Sequence, residues 1–304
     1  MHYPSLARPL MRTAGFEVNI SGKRKELLLS VFDRLFTEAR TAGERSVRIG
    51  ATTLRLNLAN PSERLLYYAP HNLLSSYRRS PLFSIISRLA GPAGFFVDIG
   101  ANLGLYSLHA RSRGFETLLF EPEPMHYAFL TRNAEAVGRP VACALSDHSG
   151  TASFFVSDSV NPGSSSLVMP EGGWQQSEYQ RTVSVRLSTF DEALSALGIG
   201  ATAIRLIKID VEGNEERTVL GMREYLGSPV AAPIWCEVRG PSSGRGRNSV
   251  RSVTNLLTQF GYRPFRFERE RLVPFHLETD PAPQVFDLLF AIPESHGKAL
   301  HLLA

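Results

Sequence analysis

Phe95-Phe96-Val97-Asp98-Ile99-Gly100-Ala101-Asn102-Leu103-Gly104 is the stretch whose reading decides the fold. It begins as an apolar run rich in Phe, Val and Ile, breaks at an Asp and two glycines, and resumes as Leu105-Tyr106-Ser107-Leu108-His109-Ala110. That is a strand, a tight turn and the start of a helix. Gly100 and Gly104 let the backbone turn sharply and approach a ligand closely. Seventeen residues past Gly104 a second apolar run, Thr117-Leu118-Leu119-Phe120, ends in Glu121. An acid about 20 residues beyond a Gly-rich turn is where doubly wound folds hold a ribose through its hydroxyls.

The spacing discriminates between ribose-bearing ligands. The dinucleotide signature G-x-G-x-x-G is absent, because the turn reads G-x-x-x-G with no glycine at 102. A carboxylate at the strand end, Asp98, would repel a pyrophosphate and suits a cation or an ammonium group. S-adenosylmethionine carries an ammonium, a sulfonium and an adenosine ribose. Its charge pattern fits Asp98, the glycine turn and Glu121 better than a nicotinamide dinucleotide does.

Composition sets the outer bounds. A chain of 304 residues with 43% hydrophobic content can bury one large core, or a core plus an accessory segment. It has no uninterrupted apolar run of about 18 residues, so no membrane span is expected. Met1-His2-Tyr3-Pro4-Ser5 leads into no apolar h-region, so a cytoplasmic protein is expected. Cys143 and Cys236 fall in apolar runs and read as reduced, buried thiols; no Cys/His cluster has zinc spacing. The net charge is +4. The densest basic stretch, Arg245, Arg247, Arg251, Arg263, Arg266, Arg269 and Arg271, is interrupted by Glu268 and Glu270. It reads as a solvated surface better than as a nucleic-acid face.

Residues 1–90 read as an N-terminal cap and 91–304 as the ligand-binding domain. In the cap, 23–42 has helical spacing of Leu27, Leu28, Val31, Phe32, Leu35 and Phe36. Val47 to Leu58 alternates as two short strands around Gly50-Ala51, and helices are expected near 62–78 and 81–90. From 95 onward strand and helix patterns alternate. Expected elements are a helix from Met125 to Val137, a third buried strand Val141–Leu145, an added strand Thr151–Ser157 and a strand Val183–Leu187. A short helix from Thr189 to Leu197 follows. Then come the strand Ile204–Asp210, a helix Glu215–Leu226, the strand Pro233–Val238 and a helix Ser249–Phe260. Two last strands near Tyr262–Phe267 and Phe286–Ile292 can pair antiparallel. The polar tract Asn161–Ser166 reads equally as an active-site lid or as plain surface.

Asp98, Glu121, Asp210 and Glu237 each close an expected strand. In open α/β sheets ligands bind beyond those strand ends. Along Leu206-Ile207-Lys208-Ile209-Asp210, alternation sends Leu206, Lys208 and Asp210 to one side. A buried Lys208 calls for a carboxylate partner. Asp147, just past the third strand, suits either an adenine amino group or a turn.

The segments Phe96–Gly104, Phe120-Glu121-Pro122, Ala144–Asp147, Gly163–Leu167 and Ile207-Lys208-Ile209-Asp210-Val211-Glu212-Gly213 together resemble the FkbM family of S-adenosylmethionine-dependent methyltransferases. The resemblance runs from about 93 to 240. It implies a class I methyltransferase (Rossmann-like) α/β fold, with a seven-stranded, mostly parallel sheet whose last strand is antiparallel. It also implies O-methylation of a hydroxyl on a sugar, glycan or polyketide-type natural product. One departure is Phe190 where the family carries Leu before Asp191, a packing change. On this reading the cofactor set is Asp98, Gly100, Ala101, Asn102, Gly104, Tyr106, Glu121, Pro122, Ser146, Asp147 and Asp210. Asp210 is the first candidate base, with Glu212 and Glu237 behind it. Glu212 and Glu215 also read as helix N-terminal charge. A divalent metal on Asp210 and Glu237 lacks a nameable third ligand, so none is expected. The competing readings are a non-catalytic cofactor- or partner-binding module, and a methyltransferase acting on nitrogen or nucleic acid. The segment 1–90 lies outside the resemblance and would read the acceptor.

Overall fold

The computed structural model describes residues 43–68, 70, 77–91, 94–157, 165–169, 181–240 and 249–303. The expected helix 23–42, most of the polar tract around 161–166, Arg245 and Arg247 lie outside the described residues.

The chain alternates strand and helix from residue 95, as the periodicity requires. Strands β3 (Phe95–Ile99), β4 (Glu116–Phe120), β5 (Arg139–Val141), β9 (Ile204–Ile209) and β10 (Ile234–Arg239) lie parallel. With β11 (Arg263–Glu268), β12 (Arg271–Pro274) and β13 (Val285–Ala291), the sheet order is β12-β11-β13-β10-β9-β3-β4-β5. Strand β13 (Val285–Ala291) runs antiparallel between β10 and β11 (Arg263–Glu268). The expected class I sheet is therefore present, with one addition: β12 (Arg271–Pro274) folds back on β11 as an eighth, edge strand. Residues Arg269 and Glu270, at φ 48 and 66, make that tight return.

Three expected elements are divided, each for a visible reason. The stretch 141–145 is two strands: β5 ends at Val141, and β6 (Ala144–Leu145) joins a separate sheet with β8 (Arg181–Ser188) and β7 (Gly150–Val156). The helix expected from Met125 to Val137 breaks at Asn133, between α4 (Pro124–Arg132) and α5 (Ala134–Val137). Asn133 leaves the helical region because its amide bonds both the N–H and the carbonyl of Arg55, at 2.7 and 2.9 Å. Past α6 (Phe190–Leu197), the helix expected from Glu215 to Leu226 breaks between α7 (Glu215–Leu220) and α8 (Arg223–Leu226). Gly221 lies there because a Cβ would sit 2.0 Å from the Ser146 carbonyl oxygen.

Alternation along the central strands fills both sides of the sheet. Val97, Ile99, Leu118, Ile207, Ile209 and Cys236 pack on one side with Phe190, Met222, Tyr225, Val253 and Leu257. Phe96, Leu206 and Trp235 face the other, against Leu82, Ile85 and Ile86 of α2 (Pro81–Arg88) and Ala110 of α3 (Leu105–Ser112). Each such fully buried large side chain contributes roughly 1.5–3 kcal/mol, against about 0–1 kcal/mol for an exposed ion pair. The sheet faces, not surface charge, hold the fold. The hairpin β1 (Glu44–Ile49) and β2 (Thr52–Asn57) shares a core with the domain: Val47, Leu54 and Leu56 pack with Leu105, Leu119, Phe129 and Leu130. Glu63 of α1 (Pro61–Tyr68) ties the two further by pairing with Arg132.

Among the described residues no helix is long and apolar enough to cross a membrane. Arg251 pairs with Glu278 at 2.8 Å, Arg266 with Glu268 at 3.2 Å and Arg263 with Glu294 at 3.8 Å. The described part of the basic stretch is a mixed-charge surface.

Candidate active site

The carboxyl ends of β3, β4 and β9 open onto one cleft. Its walls include Gly100, Ala101, Asn102, Tyr106, Glu121, Pro122 and Asp210, with Lys208 and Glu212 at one end. It encloses about 900 Å³ of free space, the solvent at its mouth included.

The glycine turn is built around the end of β4. The N–H groups of Gly100 and Ala101 both donate to the Phe120 carbonyl, at 3.0 and 3.1 Å. Asn102 adopts φ 52, and its N–H donates to Glu121 Oε2 at 2.7 Å. The second oxygen, Oε1, accepts from the Glu123 N–H at 2.9 Å. Glu121 is 4% exposed, and burial pushes its carboxyl up to about 7 despite those two donors. Each oxygen accepts one of these N–H groups and keeps a lone pair for a further donor. A vicinal diol such as a ribose matches that arrangement. The cleft wall also includes Phe120, Cys143, Ala144, Leu145, Phe154 and Leu167, an apolar set suited to packing on a nucleobase.

Not every expected residue faces the cleft. Asp98 is fully buried beneath the turn. Its Oδ2 accepts from Ser107 Oγ at 2.8 Å, and its Oδ1 lies 3.1 Å from Lys208 Nζ. The register explains this: Asp98 and Lys208 are paired neighbours on the parallel strands β3 and β9. The lysine thus has the carboxylate partner its burial demanded, and the expected contact from Asp98 to a ligand ammonium is replaced by that pair. Gly104 also lies outside the cleft. A Cβ there would meet Leu130 at 2.8 Å and Leu119 at 3.1 Å, so it admits core side chains rather than a ligand. At Gly100, φ +77, a Cβ would fall 1.9 Å from the Asp210 carbonyl oxygen. Its close approach is to the chain itself. Ser146 and Asp147 also turn away: Ser146 bonds Asp147 at 3.1 Å, and Asp147 lines a separate groove with Asp191 and Glu192.

Asp210 and Glu212 make part of the cleft wall acidic, and Glu237, itself not a lining residue, adjoins them. Asp210, Glu212 and Glu237 bring carboxylate oxygens within 4.8 Å of one another. Glu212 thus supplies the third acid that spacing alone could not name. The cation set among them is Arg239, 4% exposed, whose Nη2 donates to Glu212 Oε2 at 2.5 Å and Glu237 Oε1 at 3.2 Å. Burial, then the charges of Asp210 and Glu212, raise Glu237 to about 9. Asp287, opposite Glu237 in the β10–β13 register, is pushed up to about 7 by burial and by Asp210. Lys208 loses by burial but gains more from Asp98 and Asp210, and is held above its ordinary range. Glu215 serves the helix start, accepting the Gly213 N–H at 2.8 Å.

Sequence reasoning missed Tyr77, His126, Asn214 and Lys208 as cleft residues, and Arg239 and Asp287 as the neighbours of Glu237. Arg239 was findable: two positions past Glu237 on one strand, it must share its face. Asp287 was not, because only strand pairing sets it opposite Glu237.

Residues 98–264 match the profile of the methyltransferase FkbM domain. The chain is 29% identical over 196 residues to methyltransferase sdnD of Sordaria araneosa, covering 54% of this chain and 74% of that protein. It is 27% identical over 158 residues to the 31-O-demethyl-FK506 methyltransferase FkbM of Streptomyces tacrolimicus, covering 44% and 61%. Among solved structures, magnesium protoporphyrin IX methyltransferase from Synechocystis PCC 6803, with bound S-adenosylmethionine, overlays at a TM-score of 0.37 and 8% identity, over 90% of this chain and 99% of that one. With more than half of its length inside the family profile, the chain belongs to the FkbM methyltransferases, enzymes that take their methyl group from S-adenosylmethionine.

Proposed function

We propose that the protein is an O-methyltransferase that acts on a hydroxyl of a sugar, glycan or polyketide-type natural product. One observation carries the reading: Asp210 closes β9 at the cleft wall with a third of its side chain exposed, whereas Asp98 on the neighbouring strand has none. Asp210 is thus the strand-end acid that a bound acceptor would meet. The FK506 relative, whose name places its methyl on an oxygen, supports an oxygen acceptor here.

The donor, when bound, supplies a methyl group on a sulfonium. Gly100, Ala101, Asn102, Tyr106, Glu121 and Pro122 would hold it, Glu121 through the ribose hydroxyls. Asp210 orients the acceptor hydroxyl and takes its proton, a contribution of about 10²–10⁴-fold. Its N–H donates to the Ile99 carbonyl at 3.1 Å, which fixes it relative to the glycine turn. That rigidity matters, because most of the acceleration in such a transfer comes from holding the reacting atoms in line. Glu212 and Glu237 stand beside Asp210 as further acids of the site. Residues 1–90 form the acceptor side and 91–304 the donor-binding domain; Tyr77, which lines the cleft beside Asp210, supports that division.

The test is mass spectrometry of reactions with deuterated-methyl S-adenosylmethionine and a panel of hydroxylated macrolides, sugars and amines. Methyl addition to hydroxyls is expected. Asp210→Asn should lower turnover about 100-fold with S-adenosylhomocysteine affinity held within about threefold. Methylation of amines alone, or full turnover by Asp210→Asn, refutes the reading.

A further inference from the structure

Lys208 is the only lysine between residues 26 and 297, and it lies 3% exposed inside an otherwise apolar strand. Its ammonium stands between the buried Asp98 and Asp210 of the cleft wall. It is 3.1 Å from Asp98 Oδ1 and 3.5 Å from Asp210 Oδ2. It donates to the Gly100 carbonyl at 3.0 Å, and it sits 5.6 Å from the centre of the Tyr106 ring. A buried lysine needs one carboxylate to satisfy it. This one touches two, together with the turn that walls the cleft, and lines the cleft itself.

We propose that Lys208 is a positioning residue that acts as an electrostatic counterweight: it offsets Asp98 and Asp210 so that the cleft does not overbind the cationic sulfonium of the donor. The physical reason is that the sulfonium loses its charge as the methyl leaves. Negative charge facing it would stabilise the ground state more than the transition state and slow the step. Two uncompensated carboxylates would do that. One ammonium between them offsets one of the two negative charges and holds Asp210 in place. The inference rests on the donor assignment and not on the identity of the acceptor.

The donor and its product provide the measurement, since S-adenosylmethionine and S-adenosylhomocysteine share the ammonium, carboxylate and ribose and differ in one methyl group and the positive charge it places on sulfur. The quantity is the ratio of their affinities for the full chain by titration calorimetry. Lys208→Met should raise the preference for S-adenosylmethionine by roughly five- to twentyfold, the effect of one unit charge acting through a protein interior. Lys208→Arg should restore the ratio. Asp98→Asn, which keeps Asp210 as a partner for the lysine, should shift it the opposite way and carries the test if Lys208→Met does not fold. A lysine that only supports the fold would weaken both ligands together and leave the ratio fixed; a fixed ratio in Lys208→Met and Asp98→Asn overturns the proposal. Wild-type protein that bound neither ligand would overturn the donor site itself, an outcome distinct from a fixed ratio.

Discussion

Replacing Gly100 with Ala tests how the cleft is held together. Gly100 sits at φ +77, and an added Cβ would lie 1.9 Å from the Asp210 carbonyl oxygen and 2.9 Å from its carbonyl carbon. The left-handed backbone alone costs an L residue about 1–2 kcal/mol. Real Cβ contacts do not fall below 3.0 Å, so the turn and the end of β9 must also part by roughly 1 Å, an overpacking cost of about 1–3 kcal/mol. The sum is about 2–5 kcal/mol of lost stability. Gly114→Ala provides the control, with φ +91 and nothing within 4 Å of the new atom. It should lose only about 1–2 kcal/mol. Urea unfolding of both variants isolates the close approach as their difference. Because the displaced atom belongs to Asp210, methyl transfer by Gly100→Ala should fall by a further 10²-fold or so beyond any loss of folded protein. Equal destabilisation by the two substitutions, with unimpaired transfer in Gly100→Ala, would show that the turn does not brace Asp210.

Three further outcomes are expected. Glu121→Gln should weaken S-adenosylhomocysteine binding at pH 8 by about tenfold, since an amide offers only one acceptor to the hydroxyls; calorimetry reads it directly. Glu237 has a folded pKa raised to about 9, so the native state keeps a proton that the unfolded chain releases near 4.5. Its contribution to stability is full below about pH 4.5 and is lost as pH climbs through 9; Glu237→Gln should flatten the fall in Tm between about pH 5 and 9. Asp191 caps α8 by accepting the N–H groups of Glu224 and Tyr225 at 2.9 and 3.0 Å, so Asp191→Ala should cost about 0.5–2 kcal/mol in chemical denaturation without changing donor affinity.

Local pattern was enough for a large part of this molecule. The apolar runs at 95–99, 116–120 and 204–209, each ending in acid or glycine, specify buried parallel strands whose ends open onto a ligand. The missing third glycine argues against a pyrophosphate. Periodicity also placed Asp210 and Lys208 on one face of β9. These properties depend on residues close in sequence, where side-chain direction follows from backbone repeat alone.

Tertiary structure decided the rest, because it depends on which strand lies beside which. Asp98 looks like a ligand residue until β3 and β9 pair and Lys208 takes it out of the cleft. Glu237 acquires its proton affinity from burial and then from the charges of Asp210 and Glu212, and Asp287 joins them only through the antiparallel register of β13. Gly221 and Asn133 break their helices on account of the Ser146 carbonyl and the Arg55 backbone, 75 and 78 residues away in the chain. Charge and packing act through space with little regard for sequence separation. The sequence by itself therefore determined the strands, the turn and the donor, whereas only the fold could decide which of its acids face that donor and which are occupied by a neighbouring cation.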